Sequence, residues 1–439
     1  MKNDSEVLES WGRNPQIQQS STSLHWRSDI HFSSEKKMLP YGMGRSYGDV
    51  CLHEGGLLLK TRGLNRFLEF DAEEGRLICE AGVSFEEILD FAVPRGWFLP
   101  VTPGTKYVTV GGAIANDVHG KNHHRAGSFG CHVVRFELLR SDGTHLLCSQ
   151  TENTDWFRAT VGGLGLTGVI TWADIRLKKV VSPFIRQETV PFRCVDDFFA
   201  LSASSNRDFE YTVAWIDCLA KGKNLGRGIF IRGNHAEMNS TKKNPKRKKP
   251  TWSIPCQMPS FLLNPLTIKV FNGMYYFSQC WRKDSRLVHF DPFFYPLDAV
   301  KCWNRLYGHR GFFQYQCVVP PQTAPENIRR LLDKVSHSKQ ASFLSVLKQF
   351  GSLPSPGMMS FPRKGVTLAM DFPNRGIKTS QLLHQLDDIV QKVGGAVYPA
   401  KDACMSRTSF AAYYPRWKEF ASYIDPQFSS SFWKRVKGE

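Results

Sequence analysis

The sequence contains no apolar run of about 18 residues, the length that a membrane-crossing helix requires. Its first residues, MKNDSEVLESWGRN, lack the apolar region of a secretory signal. We therefore expect a cytoplasmic protein whose contact with a membrane, if it makes one, is peripheral at the inner face. The eleven cysteines form no C-x-x-C pair. Their odd number and wide scatter support neither a disulfide framework nor a zinc ribbon, and they predict mostly buried thiols.

Acidic residues are few relative to basic ones, 40 against 57, which gives a net charge of +17. Basic surface attracts polyanions, so the charge alone is compatible with a non-catalytic protein that binds nucleic acid or anionic membranes. Six basic residues fall in the stretch KKNPKRKKP, Lys242 to Pro250. Its prolines and lack of apolar periodicity are typical of a solvated surface loop. Contact with a membrane surface is the alternative, since each Lys or Arg gains roughly 1 kcal/mol near anionic lipid.

The chain shows no internal repeat, and short apolar runs alternate with glycine turns. In RLICEAGVSFEEIL, Leu77 to Ala81 alternate as in a strand, and Ser84 with Glu87 forms a capping-box pattern before a helix. In HVVRFELLRSDGTHLLCS, the pair Asp142 and Gly143 predicts a hairpin turn between two strands. With 439 residues, 41% of them hydrophobic, the sequence predicts an α+β fold of two domains.

After Pro183 the predicted strands become longer and richer in aromatic residues, and helical patterns alternate with them at 324–336 and 379–393. This alternation of strand and helix patterns favours an antiparallel sheet with helices on one face. The predicted boundaries are 1–183 for the first domain, 184–394 for the second, and 395–439 for a C-terminal segment that packs back on the first.

Four glycine-bearing stretches punctuate the first domain: YGMGRSYGD (41–49), TPGTKYVTVGGAIANDVHG (102–120), HHRAGSFG (123–130) and ATVGGLGLTG (159–168). Glycines allow positive φ and let backbone N–H groups approach an anion closely. None of the four has the strand–GxGxxG–helix arrangement of a dinucleotide fingerprint, because no helical periodicity follows GMGRSYG and a strand follows GGLGLTG. A Rossmann fold is therefore disfavoured.

GMGRSYGD, PGTKYVTVGGAIANDVHGKNHHRAGSFG and VGGLGLTGVI, in this order and spacing, resemble the FAD-binding domain (PCMH type) of the vanillyl-alcohol-oxidase flavoproteins. Within that superfamily they resemble most closely the decaprenylphosphoryl-ribose oxidases, the flavin subunits of an epimerase of cell-wall arabinan biosynthesis. The similarity continues through CWNRLYGHRGFFQYQCVVP, SFLSVLKQFG, LAMDFP and VYPAKDACMSRTSFAAYYPR, and so covers nearly the whole chain.

The resemblance implies that residues 1–183 bind FAD, that 184–394 form the substrate pocket, and that the C-terminal segment completes the FAD domain. In that superfamily GMGRSYG wraps the pyrophosphate with backbone N–H groups. Members that attach FAD covalently have a histidine at the second position after the arginine of this loop. Tyr47 stands there, so we expect non-covalent FAD unless His119 or another residue takes over. The implied cofactor-binding residues are Gly42, Gly44, Arg45, Ser46, Tyr47, Gly48, Pro103, Gly104, Thr105, Gly111, Gly112, Asn116, Asp117, Gly120, Asn122, Gly127, Gly168 and Ile170.

Flavin oxidation of a secondary alcohol needs a group that takes the hydroxyl proton and positive charge near the reduced flavin. Lys401, in YPAKDAC, resembles the family's active-site lysine, with a plain surface lysine as the alternative. A lysine base requires a strongly lowered pKa, so positioning the substrate is its safer predicted role. His119 and Lys121 lie where the family has residues at the flavin and at the substrate mouth, so the resemblance implies that His119 is catalytic along with Lys401 and that Lys121 binds substrate. The adjacent His123 and His124 rarely converge on one metal ion, so we expect these two and Arg125 to be structural or rim residues, and we predict no metal site.

Gln314 and Gln316 alternate onto one face of the strand FFQYQCV, which suits the hydroxyls of a sugar, although an exposed polar face would give the same pattern. Lys348 has apolar neighbours, where an unpaired ammonium is costly, and should face a pocket or an anion. Thr367 and Ala369 fall at pocket positions where the family commonly has an amide and a thiol, so the pocket differs there.

The resemblance implies an FAD-dependent oxidase of the 2-hydroxyl of a polyprenylphosphoryl ribose. Its 2-keto product would go to a separate nicotinamide-dependent short-chain reductase that completes epimerisation to the arabinose. The apolar segment Pro259 to Phe277 would supply surface for the polyprenyl chain, or equally a buried helix. An aldonolactone or sugar-alcohol oxidase with a soluble substrate is the alternative enzyme. A nucleic-acid partner is not expected, because polyanion binding leaves the four glycine stretches unexplained.

Overall fold

The computed structural model describes residues 8–32, 35–237, 252–259, 262–281, 285–340 and 342–438. The basic stretch from Lys242 to Pro250 lies outside the described residues.

Two sheets form the N-terminal part of the fold. The first has the parallel order β1-β3-β2, and the second has the antiparallel order β4-β5-β9-β7-β8. A short antiparallel pair, β6 with β10, lies beside them. The strands are β1 Ser20–Ser23, β2 Met38–Tyr41, β3 Leu57–Lys60, β4 Phe67–Asp71, β5 Arg76–Glu80, β6 Trp97–Phe98, β7 Val133–Leu139, β8 His145–Ser149, β9 Val169–Arg176 and β10 Lys178–Lys179.

A larger antiparallel sheet of eight strands follows, in the order β15-β11-β13-β12-β18-β19-β17-β20. Two further short strands, β14 and β16, pair in parallel. The strands are β11 Phe184–Phe192, β12 Tyr211–Ile216, β13 Gly228–His235, β14 Trp252–Ser253, β15 Ser285–His289, β16 Val300–Lys301, β17 Phe312–Val319, β18 Ser345–Phe350, β19 Gly365–Pro373 and β20 Ala396–Val397.

The longest helices of the described chain are α6, α8 and α9. α8 and α9 are amphipathic, and their apolar faces pack in one cluster with side chains of the large sheet, as the alternation of strands and helices predicted. The helices are α1 Phe85–Ala92, α2 Val110–Ala115, α3 His123–Ala126, α4 Thr154–Thr160, α5 Val195–Ser205, α6 Pro265–Cys280, α7 Phe290–Phe294, α8 Ala324–Ser338, α9 Ile377–Lys392, α10 Arg407–Tyr413, α11 Trp417–Ala421 and α12 Ser431–Lys437.

The mixture of helices with antiparallel sheets confirms the predicted α+β class. The predicted capping box is present at α1: the Ser84 hydroxyl accepts from Glu87 N, and Ser84 N donates to the Glu87 carboxylate at 2.7 Å. The predicted hairpin joins β7 to β8, with Gly143 at φ 84° and Thr144 N donating to Asp142. The domain boundaries stay a prediction.

The C-terminal segment contacts the beginning of the chain. Ser431 N donates to Leu52 O at 2.8 Å, and Met38 N donates to Gln427 O at 2.7 Å. Arg435, in α12, forms ion pairs with both Asp49 and Asp402 at 2.8 Å. The last residues of the chain therefore pack against the loop that follows GMGRSYG and stabilise it.

The cysteines are less buried than predicted: all eleven are free thiols, of which four are buried, five half-buried and two exposed. None of the helices in the described ranges combines the length and apolar character needed to cross a membrane.

Candidate active site

A cavity of about 720 Å³ lies between the glycine stretches of the N-terminal part and the large sheet. Its walls also include α6, through Phe271 and Tyr275, and the C-terminal segment, through Tyr398 and Lys401. This volume falls within the range of about 300–1,000 Å³ that is typical of small-molecule and cofactor sites.

Packing fixes the glycines of GMGRSYG. Gly44 has φ +60°, and a Cβ there would lie 2.1 Å from the Tyr41 hydroxyl, which donates to Glu9 O at 2.7 Å. A Cβ on Gly42 would lie 2.5 Å from the hydroxyl oxygen of Thr109, the residue that caps α2. Only glycine therefore lets this loop pass between its own strand and the start of α2.

Two buried polar atoms on the cavity wall fit a bound FAD. Arg45 is held between the rings of Trp11 and Tyr107, with its guanidinium carbon 4.1 and 5.3 Å from the ring centroids. Among the residues the structure describes, neither Arg45 Nε nor Asn116 Oδ1 has a hydrogen-bond partner. Since unsatisfied buried polar groups cost about 1–3 kcal/mol, both are suited to a ligand in the cavity. Arg45 matches a phosphate, and the Asn116 oxygen matches an N–H of a flavin ring.

Three lysines converge on the cavity, and burial lowers the pKa of each. Burial and the charge of Lys348 lower the pKa of Lys121 to about 7. Burial lowers the pKa of Lys348 to about 8. Lys121 Nζ donates to Phe293 O and lies 4.6 Å from the centroid of that ring. The wall is cationic and favours an anionic ligand.

Burial also lowers the pKa of Lys401, whereas the carboxylate of Asp371 opposes the shift. Lys401 Nζ lies 3.7 Å from the centroid of the Tyr47 ring. Tyr47 N donates to Ala400 O at 2.9 Å, which fixes Lys401 beside the GMGRSYG loop. From the sequence, positioning the substrate was the safer role for Lys401, because a lysine that accepts a proton needs a lowered pKa. Burial in the cavity wall does lower the pKa of Lys401, so the structure is compatible with proton acceptance.

Asp371 lies on β19 of the large sheet, close to Lys401. Burial raises the pKa of its carboxyl, and Gln314, which donates to it, lowers it. Strand alternation puts Asp371 on the same side of β19 as Thr367 and Ala369, although the sequence alone assigned it no role. That alternation was the signal available for this residue, whereas nothing in the sequence pointed to Trp11 or Tyr398 as cavity residues.

His119 is buried and neutral, because burial and the nearby Lys348 ammonium lower the pKa of its ring. Its Nε2 lies 2.9 Å from the Gln316 amide, and its Nδ1 lies 3.3 Å from Lys348 Nζ. A neutral imidazole has one donor and one acceptor nitrogen. The Gln316 atom that faces the ring is its amide nitrogen, which donates to Nε2, so the proton of the neutral imidazole lies on Nδ1. Gln316 also contacts the Thr367 hydroxyl at 3.1 Å.

Gln314 and Gln316 lie on one face of β17, and that face borders the cavity. Gln314 and Gln316 line it, although both are buried, whereas Phe313, Tyr315 and Cys317 point into the hydrophobic core. The exposed polar face considered from the sequence is therefore wrong.

Most of the predicted site residues lie together on the cavity wall. The residues that line it are His119, Lys121, Gln314, Gln316, Lys348, Ala369 and Lys401 of the chemistry set, and Gly42, Gly44, Arg45, Ser46, Tyr47, Pro103, Gly104, Thr105, Gly111, Gly112, Asn116, Gly120, Gly168 and Ile170 of the cofactor set.

Five predicted residues do not line the cavity: Gly48, Asp117, Asn122, Gly127 and Thr367. A Cβ on Gly48 would overlap Asp402 O, so this glycine permits contact with the C-terminal segment. Asp117 accepts from Gly130 N and the Ser360 hydroxyl, and Asn122 donates to Pro100 O. Gly127 ends α3 at φ 69°. These residues do not border the cavity themselves. Their predicted direct contacts with FAD or substrate stay predictions.

His123, His124 and Arg125 link the N-terminal part to the loops that flank β12 and β18 of the large sheet. His123 Nδ1 accepts from Gly351 N at 3.2 Å, His124 Nε2 lies 3.0 Å from Phe209 O, and Arg125 donates to Asn206 O at 3.2 Å. No group of three or more His, Cys, Asp or Glu side chains in the described part of the chain is placed to hold a metal ion.

Comparison with known proteins agrees with this geometry. Residues 31–149 match the family described as "FAD binding domain". The chain is 35% identical over 409 residues to decaprenylphosphoryl-beta-D-ribose oxidase of Mycolicibacterium smegmatis, with 90% of this chain and 88% of that protein covered. It is 31% identical to an uncharacterized protein in the mprA 5' region of Streptomyces coelicolor, over 81% of this chain and 100% of that protein. L-gulonolactone oxidase of Mus musculus is 30% identical over only 38% of this chain and 34% of its own length.

The fold, the cavity and the matched domain define an FAD-dependent oxidoreductase that acts on CH–OH groups. Its cofactor is FAD. Because the similarity spans nearly the full length of both proteins, the chain belongs to the family of decaprenylphosphoryl-beta-D-ribose oxidase.

Proposed function

We propose that the protein oxidises the 2-hydroxyl of a polyprenylphosphoryl ribose to the 2-keto sugar, the first half of epimerisation to polyprenylphosphoryl arabinose. One observation carries the proposal: a single cavity combines the FAD-binding loops with three buried lysines and two inward-facing amides. The full-length similarity to an oxidase of decaprenylphosphoryl ribose supports the substrate class.

When bound, FAD would supply a two-electron acceptor for oxidation of the carbinol carbon. Arg45 and Asn116 would hold it, together with the backbone of the loops 42–47, 103–105 and 111–112, all on the cavity wall. Tyr47 stands where covalent members have histidine, so we keep the prediction of non-covalent FAD.

Lys401 accepts the hydroxyl proton in this proposal. Burial lowers the pKa of its amine, so a larger fraction is neutral near pH 7 than in water. Asp371, through its hydrogen bond with Gln314, steadies the amide beside Lys401. Lys401 is thus the catalytic residue, and Asp371 is a positioning residue.

The remaining side chains orient the substrate. Gln314 and Gln316 offer amides to the sugar hydroxyls, with Ala369 leaving room beside them and Thr367 holding Gln316 from behind. Lys121 and Lys348 balance the phosphate charge, which requires them to be protonated when substrate is bound, and the phosphate raises the pKa of both. His119, bonded to Gln316 and Lys348, fixes the two relative to each other.

The proposal also includes a partner enzyme and a location in the cell. The ketone product requires a separate nicotinamide-dependent short-chain reductase to complete the epimerisation. A polyprenyl substrate partitions into lipid, so we propose a cytoplasmic protein that works at the inner face of the membrane. We also retain the division at residues 183 and 394, because the cavity lies between the glycine stretches and the large sheet.

The test is anaerobic reduction of the holoenzyme's flavin, followed by visible absorbance. A short-chain polyprenylphosphoryl ribose should bleach the flavin, whereas the same lipid phosphate without the sugar should not. Bleaching by an aldonolactone but not by the lipid sugar would instead support the soluble-substrate oxidase, and a flavin unchanged by the lipid sugar would refute the proposal.

A further inference from the structure

The helix α6 exposes a continuous row of large apolar side chains. Leu266, Val270, Met274, Phe277 and Trp281 are between 53% and 89% exposed. Their spacing of three or four residues puts them on one face of the helix, Trp281 directly after its end. Soluble proteins rarely leave such a row uncovered, and contiguous apolar patches mark sites of interaction.

The opposite face of α6 holds the helix firmly on the protein. Ile268 is buried, and the buried Asn272 donates to Asp217 at 2.9 Å. Phe271 and Tyr275 reach the wall of the active-site cavity. One face of α6 thus borders the cavity while the other meets solvent, and a lipid chain passing beside α6 would contact apolar side chains on both.

Basic residues lie near the exposed row, several of them at the C-terminal end of α6. A surface pocket at the end of α6 is lined by Arg193 and Arg227 together with Phe277 and Trp281. Arg227 pairs with Asp217 and lies 4.9 Å from the Tyr276 ring centroid, so one of the two arginines is neutralised locally.

Three exposed lysines extend this rim: Lys221 and Lys223, just before and within the turn whose Asn224 lines the pocket, and Lys269 on α6 itself. The net charge of +17 has the same sign. An apolar row with a cationic rim is complementary to an anionic lipid surface, where apolar side chains enter the interface and Lys and Arg meet phosphates.

We propose that the exposed face of α6 docks on an anionic phospholipid bilayer, with the apolar row in the interface and Arg193, Lys269 and their basic neighbours on the headgroups. The inference rests on the proposed function and deepens it: the bilayer is the store from which the polyprenyl chain reaches the cavity past α6.

The experiment is co-sedimentation of the full-length holoenzyme with vesicles of phosphatidylcholine alone or mixed with phosphatidylglycerol. We expect binding to the mixed vesicles that weakens with salt, and about tenfold less with phosphatidylcholine alone. Met274→Glu with Trp281→Glu should lower partitioning by about tenfold or more, since both side chains would carry charge into the interface.

The matched control is Val181→Glu with Ile377→Glu, which adds the same charge at equally exposed apolar positions outside α6. It should stay within about twofold of wild type. Equal losses in the two double variants would show a general charge effect and overturn the proposal. So would a protein that ignores vesicles but forms a dimer abolished by Met274→Glu with Trp281→Glu, because a second copy would then cover the face.

Flavin bleaching by the short-chain substrate is measured on the same wild-type preparation. Bleaching without vesicle binding would overturn the docking and leave the proposed function standing. Vesicle binding without bleaching would overturn the proposed function, and with it the role of the bilayer as the store of the substrate.

Discussion

Replacing Arg435 with methionine should destabilise the protein and loosen its hold on FAD. Arg435 Nε and Nη2 donate to the two carboxylate oxygens of Asp49, and Nη2 also donates to Asp402, each at 2.8 Å. Both carboxylates are almost fully buried. They belong to the turn after GMGRSYG and to the residue after Lys401, so the pairs tie the predicted cofactor loop to the segment that contains Lys401.

The magnitude follows from burial. Removing one partner of a buried ion pair costs about 3–5 kcal/mol, because the remaining charge is left unpaired. The Arg435 side chain is 26% exposed, so water screens part of the loss and we expect the lower end, about 3 kcal/mol. For a domain of roughly 200 residues this corresponds to a Tm lower by about 6–12 °C.

The assay is thermal unfolding of the holoenzyme followed by tryptophan fluorescence, with flavin fluorescence to report release of FAD. The matched control is Arg329→Met, which removes an exposed pair with Asp196 and should cost less than about 1 kcal/mol. A free energy of unfolding within about 1 kcal/mol of wild type for Arg435→Met would refute the reasoning. Adding Asp49→Asn and Asp402→Asn should restore part of the stability, since no buried charge then lacks a partner.

Three further outcomes test the site. Lys401→Met should keep the bound-flavin spectrum but slow flavin reduction by about 10²–10⁴-fold, and the wild-type rate should fall as pH drops below the pKa of the amine; an unchanged rate would remove Lys401 from catalysis. Lys121→Met should raise KM for the phosphorylated substrate by about tenfold with a smaller change in kcat, because a phosphate contact is equal in ground and transition states; steady-state kinetics would show the opposite split if Lys121 acted on the reacting hydroxyl. Gly44→Ala should weaken FAD binding measured by flavin fluorescence, since its Cβ would overlap the Tyr41 hydroxyl, whereas Gly55→Ala, at φ +70° in open space, should not; equal affinities in the two variants would contradict the steric account.

Some local features were predictable from the sequence because neighbouring residues set them. The capping box at α1 depends on residues three apart, and the turn between β7 and β8 depends on Asp142 and Gly143. The faces of β17 follow from strand alternation, so Gln314 and Gln316 were correctly put on one side of it. The cofactor loops could be predicted because the order and spacing of the glycine stretches resemble those of a known FAD-binding domain, and residues 31–149 do match such a domain.

The sequence could not show whether the face of β17 that carries the two amides is buried or exposed. Gln314 and Gln316 fit a solvent face or a pocket equally well until the paths of β18 and β19 are known. The same ambiguity held for α6, whose apolar residues lie on two faces. Only the fold shows that Phe271 and Tyr275 meet the cavity whereas Met274 and Phe277 meet solvent.

By itself, then, the sequence determined the class of fold, the local caps and turns, and the cofactor through its linear motifs. The tertiary structure decided the chemistry of the site. Lys121, Lys348 and Lys401 are far apart in the chain and acquire lowered pKa values only where folding buries them around one cavity. Asp49 and Arg435, 386 residues apart, become partners only because the C-terminus returns to the cofactor loop. Burial and long-range contacts depend on the path of the whole chain, which local sequence patterns do not specify.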